Sequence, residues 1–153
     1  MSLDETPPRF PRVRLRRMRR DEFSRRLMRE TTLTAADLIY PVFVTGDKGS
    51  ARAPVPSMPG VERLSIEELK REAEAVAKLG VPAIALFPVT PPAAKTDDGR
   101  EAWNPEGIGQ QAIAALRTEF GDDAVVIGDL CLDEYTDHGH CGVLNGLGEV
   151  DND

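Results

Sequence analysis

The chain has 153 residues, of which 41% are hydrophobic and 29% charged, and a formal net charge of -7. That length suits one domain with a real core, and the composition is that of a globular protein rather than a disordered, fibrous or disulfide-framework chain. No stretch approaches the roughly 18 apolar residues of a membrane span, and no apolar leader opens the sequence, so a cytoplasmic location and no membrane partner are expected. Nine of the fifteen arginines fall between Arg12 and Arg29, which leaves the remaining body strongly acidic. A nucleic-acid binder carries its basic face on the folded body, so no nucleic-acid partner is expected and the basic segment reads as an arm.

In chain order, residues 1–35 form that arm. Pro7, Pro8 and Pro11 keep its start extended, and Asp21–Glu30 can make a short helix with Phe23 and Leu27 as an i, i+4 stripe. Leu38–Val44 is an apolar run with a proline inside it, read as a first strand. A Gly- and Pro-rich loop follows through Gly60. Ser65 opens a helix, with Glu68 completing a capping box and Ile66, Leu69, Ala73, Val76 and Ala77 on one face. Gly80 stands where a C-terminal glycine cap belongs. Pro82–Phe87 is a continuous apolar run, as in a parallel strand covered on both faces. After a loop over 88–103, Asn104 and Pro105 are suited to be the N-cap and N1 residues of a second helix. Ala124–Leu130 is a third buried strand, and Val143–Val150 reads as a hairpin around Asn145-Gly146-Leu147-Gly148. The alternation predicts an α/β fold with a parallel sheet, either an open doubly wound sheet or part of a (β/α)8 barrel.

The residues dense in chemistry run from Asp129 to Gly142, at the end of the third strand, where parallel α/β folds bind ligands. Asp129, Cys131 and Asp133 are spaced i, i+2, i+4, which on a strand places all three on one face. A turn through Gly139 can bring Cys141 back to them. Two thiolates and a carboxylate then leave one position of a tetrahedral metal site open, and sulfur favours zinc over magnesium. The plain alternative is a buried Cys131 and an unremarkable loop thiol at Cys141. His138 and His140 add further ligands or proton carriers, or are ordinary loop histidines.

The segment Asp129-Leu130-Cys131-Leu132-Asp133 with His138-Gly139-His140-Cys141-Gly142 resembles the metal-site signature of the porphobilinogen synthases (5-aminolevulinate dehydratases). Further landmarks stand in the family's order: Arg16-Arg17 with Arg19-Arg20, Pro41-Val42-Phe43-Val44, Ser57-Met58-Pro59-Gly60-Val61 with Arg63, Leu86-Phe87-Pro88-Val89, and Asn104-Pro105-Glu106-Gly107. The resemblance covers the chain from about Arg12 onward. It implies a lyase of tetrapyrrole and heme biosynthesis that joins two 5-aminolevulinate molecules into porphobilinogen with loss of two waters. It also implies a (β/α)8 barrel, here residues 36–153, and an N-terminal arm that assembles a homo-octamer. Asp129 corresponds to the catalytic aspartate beside the reacting amine, and Cys131 and Cys141 to two zinc cysteines. Asp133 stands where zinc-dependent members have their middle cysteine. The implied site is therefore a hybrid holding Zn2+ through Cys131, Asp133 and Cys141, with Mg2+ as the alternative ion.

The family's reaction uses two Schiff-base lysines. None of the four lysines, Lys48, Lys70, Lys78 and Lys95, matches their motifs. A barrel needs about 250 residues, so the expectation is an N-terminal portion, inactive by itself. Two other readings stand beside this one. The chain could be a non-catalytic product that docks on intact synthase subunits through its arm, or a small metal-binding module.

Overall fold

The computed structural model describes residues 9–11, 13, 16–47 and 51–152. The chain divides after Leu33 into two units. The first carries two short helices, α1 (Arg17–Arg20) and α2 (Glu22–Leu27). In α2, Arg25 forks onto the carboxylate of Glu22 and also reaches the carbonyl of Arg19. The stripe expected from Phe23 and Leu27 is present but exposed. Arg12 and Arg14 of the predicted arm lie outside the described residues.

The second unit is an α/β sheet of five strands in the order β2-β3-β1-β4-β5. These are β1 (Ile39–Thr45), β2 (Arg52–Pro54), β3 (Glu62–Leu64), β4 (Ala83–Val89) and β5 (Val125–Gly128). β3, β1, β4 and β5 run parallel, and β2 pairs antiparallel with β3. The sheet is therefore mixed: the predicted loop through Gly60 contains β2, and β3 lies between that loop and Ser65. Three residues per strand are too few to show a period. β3 pairs only with Phe43 and Val44, so Pro41 sits where one side of β1 has no partner among the described residues and its missing N–H is tolerated.

Two helices cover one face of this sheet, α3 (Ile66–Lys78) and α4 (Ile108–Phe120). Their apolar stripes, Leu69 and Ala73 with Ala112 and Leu116, meet Val42, Val44, Leu64, Ile84 and Leu86 in one core. α3 ends as its sequence predicts. Gly80 takes φ +81°, its N–H donates to Ala77 O, and Val81 N–H donates to Val76 O, a Schellman pair. Its start differs. Ser65 Oγ accepts from the Glu68 N–H, but Ser65 N–H donates to Ala51 O and the Glu68 carboxylate is held by Arg52. Only half the capping box forms, because Arg52 offers Glu68 a charged partner. That guanidinium binds Glu62, Glu68 and Glu72 at 3.0, 2.7 and 2.9 Å, tying β2 and β3 to α3.

The start of α4 also departs from its prediction. Asn104 and Pro105 lie in a turn, with Asn104 Oδ1 accepting from Glu106 N–H and Asn104 Nδ2 donating to Glu101. The helix begins at Ile108 with Gly107 as its N-cap. A Cβ on Gly107 would lie 2.5 Å from Gln110 Oε1 and 3.0 Å from Asn104 O, so the close approach fixes glycine there. The opposite sheet face carries Phe43 and Phe87, half-buried, with no described element over it. In β4, Ala83, Ile84 and Leu86 are buried and Ala85 and Phe87 half-buried. β5 is an edge strand with Val125 and Ile127 exposed.

Candidate functional site

β4 and β5 both end at the same side of the sheet, and the loop after each turns over that side. The two loops are stitched together. Thr96 N–H donates to Tyr135 O, Asp137 N–H donates to Thr96 O, and Thr96 and Thr136 form an isolated parallel bridge. His138 joins the same seam. The N–H of His140 donates to His138 Nδ1, so Nε2 carries the proton and donates to Asp97 O at 3.0 Å. Thr136 is fully buried and its hydroxyl donates to His140 O at 2.9 Å. Gly99 adopts φ +67°, and a Cβ there would stand 3.3 Å from Thr136 Cγ2.

The stitched loop delivers the predicted metal residues. Cys131 Sγ, a carboxylate oxygen of Asp133 and Cys141 Sγ all lie within 4.8 Å of one another. The route differs from the one predicted. β5 stops at Gly128, so no strand face aligns Asp129, Cys131 and Asp133. Instead, Asp129 Oδ1 accepts from Cys131 N–H at 3.0 Å, a local Asx-type turn that reverses the chain. Asp129 itself is exposed beside the cluster and is not one of its three donors. The small antiparallel closure of Leu144 on Val150 follows, as the Asn145-Gly146 signal predicted, with Asn145 Oδ1 accepting from the N–H groups of Leu147 and Glu149.

Cys131 and Cys141 are joined as a disulfide. Two sulfurs and one carboxylate oxygen are a donor set that fits zinc, which takes Cys, His and carboxylate ligands and needs cysteine as thiolate. The disulfide and the metal-bound form of this cluster therefore exclude one another.

Residue types the sequence reading passed over gather beside the cluster. Glu134 is half-buried, and its carboxyl is pushed up to about 7, first by burial and then by the charges of Asp129 and Asp133, against a smaller pull from Lys95. Tyr135 is buried and its phenol is pushed up to about 12 by burial, with Glu134 next. Of the lysines, Lys70 pairs with Glu67 and Lys78 with Glu74 on the outer side of α3, and Lys48 lies outside the described residues. Among the described lysines, Lys95 alone stands at the strand ends, lining a cavity with Glu134. Nothing in the spacing of Lys95 and Glu134 predicts their meeting. Only the seam between the two loops creates it.

Comparison with known proteins bears on the same residues. A family model described as delta-aminolevulinic acid dehydratase matches residues 12–153. The delta-aminolevulinic acid dehydratase of Streptomyces coelicolor is 45% identical over 144 residues, covering 94% of this chain and 43% of that protein. That of Synechococcus elongatus is 48% identical over 135 residues, covering 88% and 40%. The crystal structure of the enzyme from Toxoplasma gondii in complex with porphobilinogen superimposes with a TM-score of 0.85 at 36% identity, over 96% of this chain and 40% of that one. The chain thus spans about two fifths of the length of the proteins it matches.

Proposed function

The chain belongs to the delta-aminolevulinic acid dehydratase family, and from that premise we propose that it is the part of a porphobilinogen synthase that carries the metal loop and the first strands of a (β/α)8 barrel. The observation that carries this reading is the convergence of Cys131, Asp133 and Cys141, with Asp129 beside them, over the C-terminal end of a parallel strand. Active sites of barrels lie at that end.

Within the proposal each residue has a task. Asp129 lies between strand and metal loop and holds a carboxylate where a substrate amine is oriented for condensation. Reduced Cys131 and Cys141, with Asp133, hold Zn2+, and Mg2+ is the alternative ion. When bound, such an ion supplies Lewis-acid polarisation of a substrate oxygen. The seam through Thr96, Thr136 and His138 keeps this loop in place, which matters because small displacements of reacting groups cost large factors in rate. Schiff-base chemistry requires lysines with lowered pKa in a desolvated or cationic setting. None of Lys48, Lys70, Lys78 and Lys95 matches the family's Schiff-base lysine motifs, so in this proposal the covalent lysines are assigned outside these residues and the 153-residue chain alone is inactive. A cytoplasmic location, and assembly of copies through the basic residues 1–35, belong to the same proposal. No helix among the described residues is long and apolar enough to cross a membrane.

The test is conversion of 5-aminolevulinate to porphobilinogen by the protein encoded by the whole reading frame around this chain. Product formation that Asp129→Asn suppresses supports the reading. A folded whole protein that forms no product with zinc or magnesium supplied refutes it.

A further inference from the structure

Both backbone polar groups of His140, the residue before Cys141, are held by side chains. Its N–H donates to His138 Nδ1 at 3.1 Å, and its carbonyl accepts from the Thr136 hydroxyl at 2.9 Å. That carbonyl belongs to the peptide bond that leads into Cys141, so the Thr136 hydroxyl fixes the plane from which Cys141 departs. Gly139, in the turn, takes φ +73°, and a Cβ there would meet nothing within 4 Å. At this point the two hydrogen bonds, not packing, place the chain.

Thr136 is itself firmly placed. It is 1% exposed, its N–H donates to Leu132 O, and its methyl stands against Gly99, where a Cβ would come within 3.3 Å of it. On either side of it, the carbonyl of Tyr135 and the N–H of Asp137 are bonded to Thr96. His138 is anchored in turn through Nε2 to Asp97 O. Thr96 and Asp97 belong to the loop after β4, so the grip on Cys141 comes from a different strand than the one that leads to Cys131. Cys131 has its own restraint, the bond from its N–H to Asp129 Oδ1. Ordering a flexible loop costs free energy that an incoming ion must supply, whereas a loop ordered beforehand binds without that cost.

We propose that Thr136 is a positioning residue of the metal loop: its hydroxyl, with His138 in support, holds Cys141 where its sulfur meets Cys131 and the carboxylate of Asp133. The inference rests on the synthase reading, in which these three residues hold a metal. It deepens that reading by naming what presets their geometry and by placing the control on the loop after β4.

The experiment measures zinc binding to the reduced, purified chain by competition with a chromophoric chelator, with circular dichroism on every variant. Thr136→Val keeps the shape and the methyl group and removes the hydroxyl. It should weaken zinc binding about tenfold to a hundredfold, the range for outer partners of metal ligands. Thr136→Ser restores the hydroxyl and most of the affinity. In the Cys141→Ser background Thr136→Val should cost little further, because its effect passes through Cys141. Leu116→Ala, a loss of core packing in α4, leaves zinc binding of the folded chain unchanged. A second readout needs no metal. In mixed reduced and oxidised glutathione, the thiols of Cys131 and Cys141 give up two electrons and two protons as their sulfurs join, and one oxidised glutathione becomes two reduced ones. The equilibrium constant of that exchange should fall about fivefold or more in Thr136→Val, the size of one hydrogen bond, and recover in Thr136→Ser. If Thr136→Val does not fold, His138→Ala, which frees the His140 N–H, must show both losses. The assignment is overturned if the hydroxyl-free chain binds zinc and exchanges with glutathione like the parent, if serine fails to restore what valine loses, or if the loss is as large in the Cys141→Ser background. A parent chain that binds no zinc overturns the metal reading instead, and the glutathione equilibrium then decides the role of Thr136 alone.

Discussion

Replacing Glu134 by glutamine isolates the electrostatics of the loop after β5. Burial and the neighbouring Asp129 and Asp133 hold the Glu134 carboxyl at about 7, against an ordinary 4.5. The folded state thus binds this proton more tightly than the unfolded chain does. The stability contributed by the protonated form is fully present below about pH 4.5 and is lost as pH rises through about 7. The difference between those two values sets a ceiling of about 3 kcal/mol. Because the group is only half-buried and solvent screens it, about 1–2 kcal/mol is expected. Glu68 and Glu72 act in the opposite sense. Arg52 holds both carboxyls below their ordinary range, so their contribution is lost on acidification. Comparing the parent chain with Glu134→Gln cancels those groups. The assay is urea unfolding from about pH 5 to pH 8 in the presence of a chelator, because a divalent cation at Asp133 would itself repel the proton on Glu134. The variant should be about 1–2 kcal/mol more stable than the parent at pH 8, with the gap closing towards pH 5. A gap of the same size at both ends refutes the argument.

Three further outcomes are expected. Leu116 is fully buried between α4 and the sheet, so Leu116→Ala should cost about 2–5 kcal/mol in urea unfolding. Gly99→Ala places a side chain at φ +67° and 3.3 Å from Thr136 Cγ2; a loss of about 1–2 kcal/mol and faster amide exchange at Thr96 and Asp137 should accompany it. Cys141→Ser removes one of three donors, so zinc affinity of the reduced chain, read by competition with a chromophoric chelator, should fall at least about tenfold, and no disulfide should form after oxidation.

The long periodic elements were legible in the sequence because burial on one side writes a period into it. β1, β4 and α3 appear within a residue or two of their predicted bounds, and the Gly80 cap was specified by a residue type that tolerates φ +81°. The meeting of Cys131, Asp133 and Cys141 was legible too, since all three are residue types that can hold zinc and a turn through Gly139 returns the third to the first two. What brings them together was not. An Asx-type turn at Asp129, rather than a strand face, reverses the chain, because β5 ends at Gly128 where its pairing with β4 ends. β2 and β3 escaped notice because three-residue strands have no period, and the start of α4 was misjudged because Asn104 serves a turn instead of a helix. Lys95 and Glu134 are far apart in the chain and ordinary in type, and the Thr96–Thr136 seam sets one beside the other. Residue chemistry and local periodicity are properties of short stretches and can be read in sequence, whereas the meeting of two loops over the strand ends depends on tertiary structure alone.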